Sequence, residues 1–192
     1  MLRRRTELIK KDQFRKDAEQ EGLVHIYFGD GKGKTTAAVG LAARAAGRGC
    51  SVVVVQFLKG RKTGELTSIA KFGAKILRSE ENKHFCWEMT DEEKEECRVI
   101  QARLLDEIKE IIGAEPVDLL VLDEALNAAA RGLLDEEALR EFVEQKPREL
   151  EIVLTGCEAP EWLVERADYI TEMKKHKHPF DKGIDGRKAI EF

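Results

Sequence analysis

The sequence predicts an α/β fold, with a mainly parallel sheet covered by helices on both faces in a three-layer sandwich. Short apolar runs such as SVVVVQF at residues 51–57 alternate along the chain with amphipathic helical stretches. The runs are apolar throughout rather than at every second position, which is typical of strands buried on both faces. Strands that alternate with helices favour a parallel sheet.

Length and charge limit the class of protein. The chain has 192 residues, enough for one α/β domain with its own core. Its 33 basic and 37 acidic residues nearly cancel, so no global positive field attracts nucleic acid. No apolar run is long enough to span a membrane, and the N-terminus lacks the apolar core of a signal peptide. We expect a cytoplasmic protein with neither a nucleic-acid nor a membrane partner.

The first twenty residues differ from the rest in composition. They are rich in Lys, Arg, Glu and Gln, and their only sizeable apolar side chains are Leu2, Leu8, Ile9 and Phe14. This pattern predicts either a weakly attached helix or a solvated tail. We therefore divide the chain into an N-terminal helical segment, residues 1–20, and an α/β domain, residues 21–192.

The domain opens with a strand, a glycine-rich loop and a helix. An apolar run at residues 23–28 predicts the strand, which leads into GDGKGKTT at residues 29–36. An alanine-rich helix follows to about residue 46, and the β-branched run at residues 51–57 predicts the second strand. Strand, glycine loop and helix in this order are what a phosphate site requires.

The remaining elements alternate in the same way. A short helix near residues 65–72 and a strand near 74–77 are predicted first. Thr90 and Glu93 then form a capping box, and apolar residues recur every three or four positions as far as Gly113, which predicts a long amphipathic helix. Later elements are a strand at 117–122, a helix at 136–144, a strand at 151–155, a short helix after Pro160 and a strand at 169–173.

The glycine loop is the strongest chemical signal. Its backbone amides can turn toward phosphate oxygens, and the helix N-terminus adds the positive end of a dipole. Lys34 supplies a point charge, and the Thr35 hydroxyl suits Mg²⁺. The usual spacing GxxxxGK[ST] would place its first glycine at Phe28, so this P-loop is a variant. The predicted phosphate-binding residues are Gly29, Asp30, Gly31, Lys32, Gly33, Lys34, Thr35 and Thr36.

A second signal is the apolar run VDLLVLDE, which ends in Asp123 and Glu124. Carboxylates at the C-terminal edge of a parallel sheet lie where ligands bind, and a hard cation on a triphosphate needs oxygen ligands. We expect one of the two to reach Mg²⁺ directly or through water. A role for Asp123 as a helix N-cap is compatible with this.

Two further features have competing explanations. Arg44 lies ten residues after Lys34, so spacing alone favours a surface charge. Phe85, Cys86 and Trp87 form an aromatic cluster in a polar stretch, and spacing alone favours a small satellite core.

Taken together, these residues resemble one family, the ATP:corrinoid adenosyltransferases. The resemblance covers nearly the whole chain from about residue 23, and the joint occurrence of its segments in this order is specific. The segments are GDGKGKTTAAVGLAARAAG at 29–47, VVVQFLKG at 53–60, HFCWEMT at 84–90, DLLVLDE at 118–124, LTG at 154–156 and KHPFDKGIDGRKAIEF at 177–192.

The resemblance implies a reaction in which Co(I) of a corrinoid attacks the ribose 5′ carbon of ATP and triphosphate leaves. By the same likeness Lys34, Thr35 and Arg44 bind the triphosphate, with Glu124 near Mg²⁺, or Mn²⁺ in its place. The implied P-loop NTPase-like fold holds its nucleotide in an unusual orientation, which would account for Phe28.

For the corrinoid, the resemblance implies that Phe85 and Trp87 pack under the ring and exclude the lower axial ligand. Axial ligands set a metal's redox potential, so Co(II) would become reducible by a flavodoxin or reduced flavin donor. The N-terminal segment would cover the corrinoid, within a homodimer.

Two positions depart from the family pattern. Cys157 follows LTG where many relatives carry Arg or another polar residue, and Asp30 replaces an Asn in the loop. An acid beside a triphosphate is unfavourable unless it points outward or meets a cation.

Two other functions fit parts of the sequence. The loop and Asp123 alone would also suit a P-loop kinase or NTP hydrolase, which would transfer or hydrolyse the γ-phosphate. A nucleotide-gated corrinoid carrier would bind both ligands without turnover.

Overall fold

The computed structural model describes residues 21–58, 63–78 and 89–190. In this part of the chain six strands form one parallel sheet, in the order β3-β2-β4-β5-β1-β6. The strands are β1 Val24–Phe28, β2 Val52–Gln56, β3 Lys75–Arg78, β4 Leu119–Asp123, β5 Glu151–Thr155 and β6 Tyr169–Glu172. The predicted parallel sheet is confirmed.

Helices cover both faces, as predicted. The helices are α1 Lys34–Gly47, α2 Gly64–Lys71, α3 Asp91–Ala114, α4 Ala125–Ala130, α5 Glu136–Glu144 and α6 Glu161–Arg166. Buried side chains of α1 and α2, such as Ala38, Ala42 and Ile69, pack with one face of the central strands. The other face packs against α3, α4, α5 and α6 in a larger apolar cluster. This burial is the main favourable contribution to folding.

The capping box at the start of α3 is confirmed. The Thr90 hydroxyl accepts a hydrogen bond from the Glu93 amide at 3.2 Å, and the Glu93 carboxylate accepts one from the Thr90 amide at 2.8 Å. The helix then presents Cys97, Leu104 and Ile108 to the core. Two backbone donors that α3 cannot satisfy internally are thereby paired.

Within the described residues, two short elements escaped prediction. Helix α4 follows β4 almost without a break, and a 3-10 helix covers Pro179–Lys182. Both are too short for an apolar period to be recognised.

Residues 1–20 lie outside the described residues, and so do Phe85 and Trp87. Among the residues that are described, no helix combines the length and the apolar character that a bilayer crossing requires.

Candidate functional site

The glycine-rich loop begins one residue later than the usual spacing would place it. Phe28 still belongs to β1 and pairs with Glu172 of β6, and its carbonyl accepts a hydrogen bond from the Met173 amide at 2.7 Å. The chain turns only at Gly29, whose φ of 108° favours glycine. Phe28 therefore replaces the first glycine because that position is still part of the sheet.

Two glycines let the loop lie against the segment that follows β6. The Gly31 amide donates to the Met173 carbonyl at 2.6 Å. A Cβ atom at Gly29 or at Gly31 would lie 2.5 Å from that carbonyl oxygen, closer than atoms can approach. The residues after β6 thus support the loop, and side chains at these two positions would displace it.

Helix α1 begins without a side-chain cap. Its N-cap residue Gly33 has a φ of 118°, and the first turn of α1 contains no acidic residue. By contrast, Thr90 and Asp135 cap the N-termini of α3 and α5 through their side chains. An uncapped N-terminus with a positive dipole end suits an anion.

The Lys34 ammonium lies inside the curve of the loop. It donates hydrogen bonds to the carbonyl oxygens of Gly29 at 2.7 Å and of Gly31 at 2.8 Å. Phosphate oxygens are stronger acceptors for an ammonium than neutral carbonyls are, because the hydrogen bond is then charge-assisted on both sides. These two hydrogen bonds hold the lysine at the loop.

Asp123 is the centre of a buried polar network at the C-terminal edge of the sheet. Its side chain is almost fully buried, and one carboxylate oxygen accepts hydrogen bonds from Thr35 and Thr155, both at 2.8 Å. The other oxygen accepts one from the Gln56 amide at 3.3 Å. The hydrogen bond that Thr35 donates to Asp123 fixes the orientation of its hydroxyl group.

Glu124 lies beside this network in a left-handed conformation, with a φ of 65°. Its backbone amide donates to the Thr155 hydroxyl at 2.9 Å, and its carboxylate accepts a hydrogen bond from the Asn127 side chain. Asn127 in turn accepts one from the Cys157 amide at 2.7 Å. A non-glycine residue in this region is uncommon and often marks a functional position.

The Asp30 carboxylate turns away from the loop. It accepts a hydrogen bond from the Lys175 amide at 2.9 Å. That hydrogen bond, helped by the nearby Lys174 and Lys175 charges, lowers the pKa of Asp30 despite some desolvation. The carboxylate is therefore ionised and bound to the segment after β6. It points outward, which is the orientation that an acid in this loop requires.

The other loop candidates vary in exposure. Lys32 and Thr36 are exposed, whereas Gly33, Lys34 and Thr35 are half-buried. Arg44 is exposed in the last turn of α1, roughly 15 Å along the helix axis from Lys34 at 1.5 Å per residue. The structure brings Lys34, Thr35, Asp123 and Glu124 to one edge and leaves Arg44 at the far end of α1.

Three polar residues of this edge were not predicted as site residues. Gln56 ends β2, Thr155 ends β5, and Asn127 follows in α4. The sequence did contain a signal, because Gln56 and Thr155 are polar residues in otherwise apolar strands. Only the order of the strands shows that both adjoin Asp123.

The donor set fits a magnesium ion that arrives with phosphate. The oxygens of Thr35, Asp123 and Glu124 are the hard ligands that Mg²⁺ prefers. No group of three or more His, Cys, Asp or Glu side chains suited to a metal occurs among the described residues. Mg²⁺ that keeps its waters and binds substrate phosphates needs only one or two protein ligands.

The sheet order, the helices on both faces and the loop between β1 and α1 define a three-layer α/β protein with a P-loop NTPase-like fold. The chain belongs to the ATP:corrinoid adenosyltransferase family BtuR/CobO/CobP, whose profile matches residues 20–192. This is an enzyme family, and the predicted resemblance is confirmed.

Relatives support this assignment along most of the chain. A corrinoid adenosyltransferase of Pseudomonas aeruginosa is 34% identical over 176 residues, which are 91% of this chain and 85% of the relative. One from Sinorhizobium sp is 37% identical over 177 residues, 91% of this chain and 82% of the relative. Among solved structures, the cytoplasmic domain of EssC superposes with a TM-score of 0.51 at 15% identity. That match covers 87% of this chain and only 34% of the EssC chain, and it concerns the fold alone.

Proposed function

We propose that this chain transfers the 5′-deoxyadenosyl group of ATP to the Co(I) centre of a corrinoid and releases triphosphate. The observation that carries the proposal is the family match over residues 20–192, which extends from the first strand through the C-terminal segment. A likeness confined to the glycine loop would suit any P-loop enzyme. In the reaction the cobalt electron pair forms the Co–C bond, and the pair of the broken C5′–O bond leaves with triphosphate.

The triphosphate is proposed to bind at the loop, Gly29 to Thr36, and at the uncapped start of α1. Lys34 would exchange its two carbonyl partners for phosphate oxygens. The close contact of Gly29 and Gly31 with Met173 supports a loop with a defined shape before ATP arrives. Arg44 enters the proposal through the resemblance alone.

Asp123 is proposed to orient Thr35, and Glu124 to face the metal. Bound Mg²⁺, or Mn²⁺, would neutralise charge on the triphosphate and make it a better leaving group. The support is the hydrogen bond from Thr35 to Asp123, which fixes the orientation of the Thr35 hydroxyl at this edge of the sheet. Asp123 already accepts three protein hydrogen bonds, whereas the described contact of the Glu124 carboxylate is with Asn127.

The corrinoid side of the proposal rests on the resemblance. Phe85 and Trp87 would exclude the lower axial ligand of cobalt, and residues 1–20 would cover the corrinoid within a homodimer. A flavodoxin or reduced flavin would reduce Co(II). We propose a cytoplasmic location, as the sequence predicts.

The product that leaves ATP tests this function. The protein is incubated with ATP, Mg²⁺ and a chemically reduced corrinoid, and the products are separated in the dark. We expect a light-sensitive adenosylated corrinoid and one triphosphate for each. Release of ADP would instead identify a kinase or hydrolase, and a stable ternary complex without product would identify a carrier.

A further inference from the structure

Gln56, the last residue of β2, has a buried acceptor without a partner. Its side chain is fully buried, and its Nε2 donates to Asp123. Its Oε1 has no hydrogen-bond partner in the structure as described. Reversing the amide would bring its oxygen against a carboxylate oxygen, so Asp123 determines which atom faces away.

A second buried glutamine, which has a structural role, has hydrogen-bond partners for both its amide oxygen and its amide nitrogen. Gln101 of α3 is also fully buried. Its Nε2 donates to the Cys97 sulfur at 3.4 Å, and its Oε1 accepts a hydrogen bond from the Leu58 amide at 3.4 Å. An unsatisfied buried acceptor destabilises the folded state, and each such group in a native protein requires an explanation.

The position of Gln56 supplies that explanation. Gln56 pairs in register with Asp123 at the C-terminal edge of the sheet. Asp123 binds Gln56 through one oxygen and Thr35 through the other. The Gln56 amide and the Thr35 hydroxyl therefore contact the same carboxylate. The proposed function assigns that hydroxyl to the metal and triphosphate. A ligand that delivers an O–H donor there would satisfy the glutamine.

We propose that Gln56 Oε1 accepts a hydrogen bond from a water molecule bound to the Mg²⁺ of the MgATP complex. The inference rests on the proposed function and extends its site to β2. Mg²⁺ keeps several waters when it binds protein, and a metal-bound water is a strong donor. A neutral amide oxygen can accept this hydrogen bond without adding charge beside Asp123. Gln56 is therefore a positioning residue for the hydrated metal.

The test compares Gln56→Met, which keeps the size of the side chain but removes both the unpartnered oxygen and the amide nitrogen that donates to Asp123, with Gln101→Met as a matched control. Thermal unfolding is measured without ligand. The Kd of ATP is then measured twice, with Mg²⁺ and with a chelator. We expect Gln56→Met to unfold within about 2 °C of the wild type or higher, because removal of the unsatisfied acceptor offsets the loss of the 3.3 Å hydrogen bond to Asp123. Its MgATP affinity should fall about tenfold, with metal-free ATP affinity unchanged.

The control should behave in the opposite way. Gln101→Met loses two satisfied hydrogen bonds, so its unfolding temperature should fall while its MgATP affinity stays that of the wild type. If Gln56→Met unfolds early with unchanged affinity, or loses affinity equally with and without Mg²⁺, the proposal is wrong. Gln56→Asn, which retracts the whole amide by one methylene, should show the same Mg²⁺-specific loss and serves if Gln56→Met does not fold. A wild type that binds no ATP would overturn the proposed function instead.

Discussion

The two ends of the parallel sheet use carboxylates in different ways. Where the strands begin, three carboxylates each accept a hydrogen bond from a backbone amide of a neighbouring segment. Asp118 accepts from Ser51 at 2.6 Å, Glu151 from Leu23 at 2.7 Å and Asp168 from Val24 at 2.8 Å. These contacts satisfy main-chain donors that the ladder leaves unpaired.

Where the strands end, Asp123 accepts its hydrogen bonds from side chains. The donors Thr35, Thr155 and Gln56 come from three different elements. A backbone amide has one position once the strand has formed, whereas a hydroxyl or an amide side chain can turn to a ligand. Carboxylates where the strands begin therefore accept hydrogen bonds from main-chain amides that cannot move. The carboxylate where the strands end orients side chains that can also contact a ligand.

The largest effect expected from this comparison is that of Asp123→Ala. The change removes one acceptor from three side chains, and each unpaired buried donor costs about 1–3 kcal/mol. The free energy of unfolding, measured in urea, should fall by about 3 kcal/mol or more. Asp118→Ala, which frees one half-buried backbone amide, should cost about 1 kcal/mol. Equal losses at both ends would contradict the distinction.

The next largest effect is expected for Lys34→Ala, which should weaken ATP binding. Hydrogen bonds to a charged group contribute about 1.5–3 kcal/mol, so the Kd of ATP should rise about 10- to 100-fold. Calorimetry or a fluorescent ATP analogue measures it. Lys109→Ala removes the same charge from the exposed face of α3 and should leave the Kd unchanged. Wild-type affinity in the Lys34 variant would mean that the backbone amides bind the triphosphate without the lysine.

Glu124→Gln should separate metal binding from folding. Its carboxylate is half-buried and contacts Asn127, so the neutral amide should leave the unfolding free energy within about 1 kcal/mol of the wild type. The Mg²⁺ concentration for half-maximal adenosylation should rise about tenfold, because a charged ligand is lost. Glu158→Gln, at an exposed position, is the control. An unchanged Mg²⁺ requirement would indicate that Asp123, rather than Glu124, contacts the metal.

A smaller, pH-dependent effect is expected where the strands begin. Burial by itself would raise the pKa of Glu151, but hydrogen bonds from His25 and the Leu23 amide outweigh it and lower this pKa below its usual 4.5. The stabilisation is present above pH 4.5 and is lost as the pH falls through the lowered pKa of the folded protein. Glu151→Gln should flatten the acid limb of a stability curve below about pH 4.5. An unchanged acid limb would show that the hydrogen bonds of Glu151 are not coupled to its ionisation.

The smallest effect is expected from Asp30→Asn. The Asp30 side chain faces the Lys175 amide, and asparagine keeps an acceptor there. The Kd of ATP should stay within about twofold of the wild type, since an exposed charge that points away from the loop is screened by solvent. A tenfold gain in ATP affinity would show that the carboxylate repels the triphosphate directly.

The sequence alone predicted the six strands, most of the helices and four residues of the site edge. Each signal is local: continuous apolar runs for the strands, Thr90 and Glu93 for the start of α3, and GKGKT for the phosphate loop. Lys34 and Thr35 could be selected from the loop motif, and Asp123 and Glu124 because they follow an apolar run that ends at the C-terminal edge of a parallel sheet. These inferences need only the chemistry of a residue and its neighbours in the chain.

Only the tertiary structure decided which strands are neighbours and which polar groups meet. Strand β5 lies between β4 and β1, so Thr155 stands between Asp123 and the loop. The shift of the loop start to Gly29 depends on the pairing of Phe28 with β6. Pairing of distant strands reflects the packing of helices on both faces, and no local pattern encodes it. For the same reason, the unpartnered oxygen of Gln56 could be recognised only once its surroundings were known.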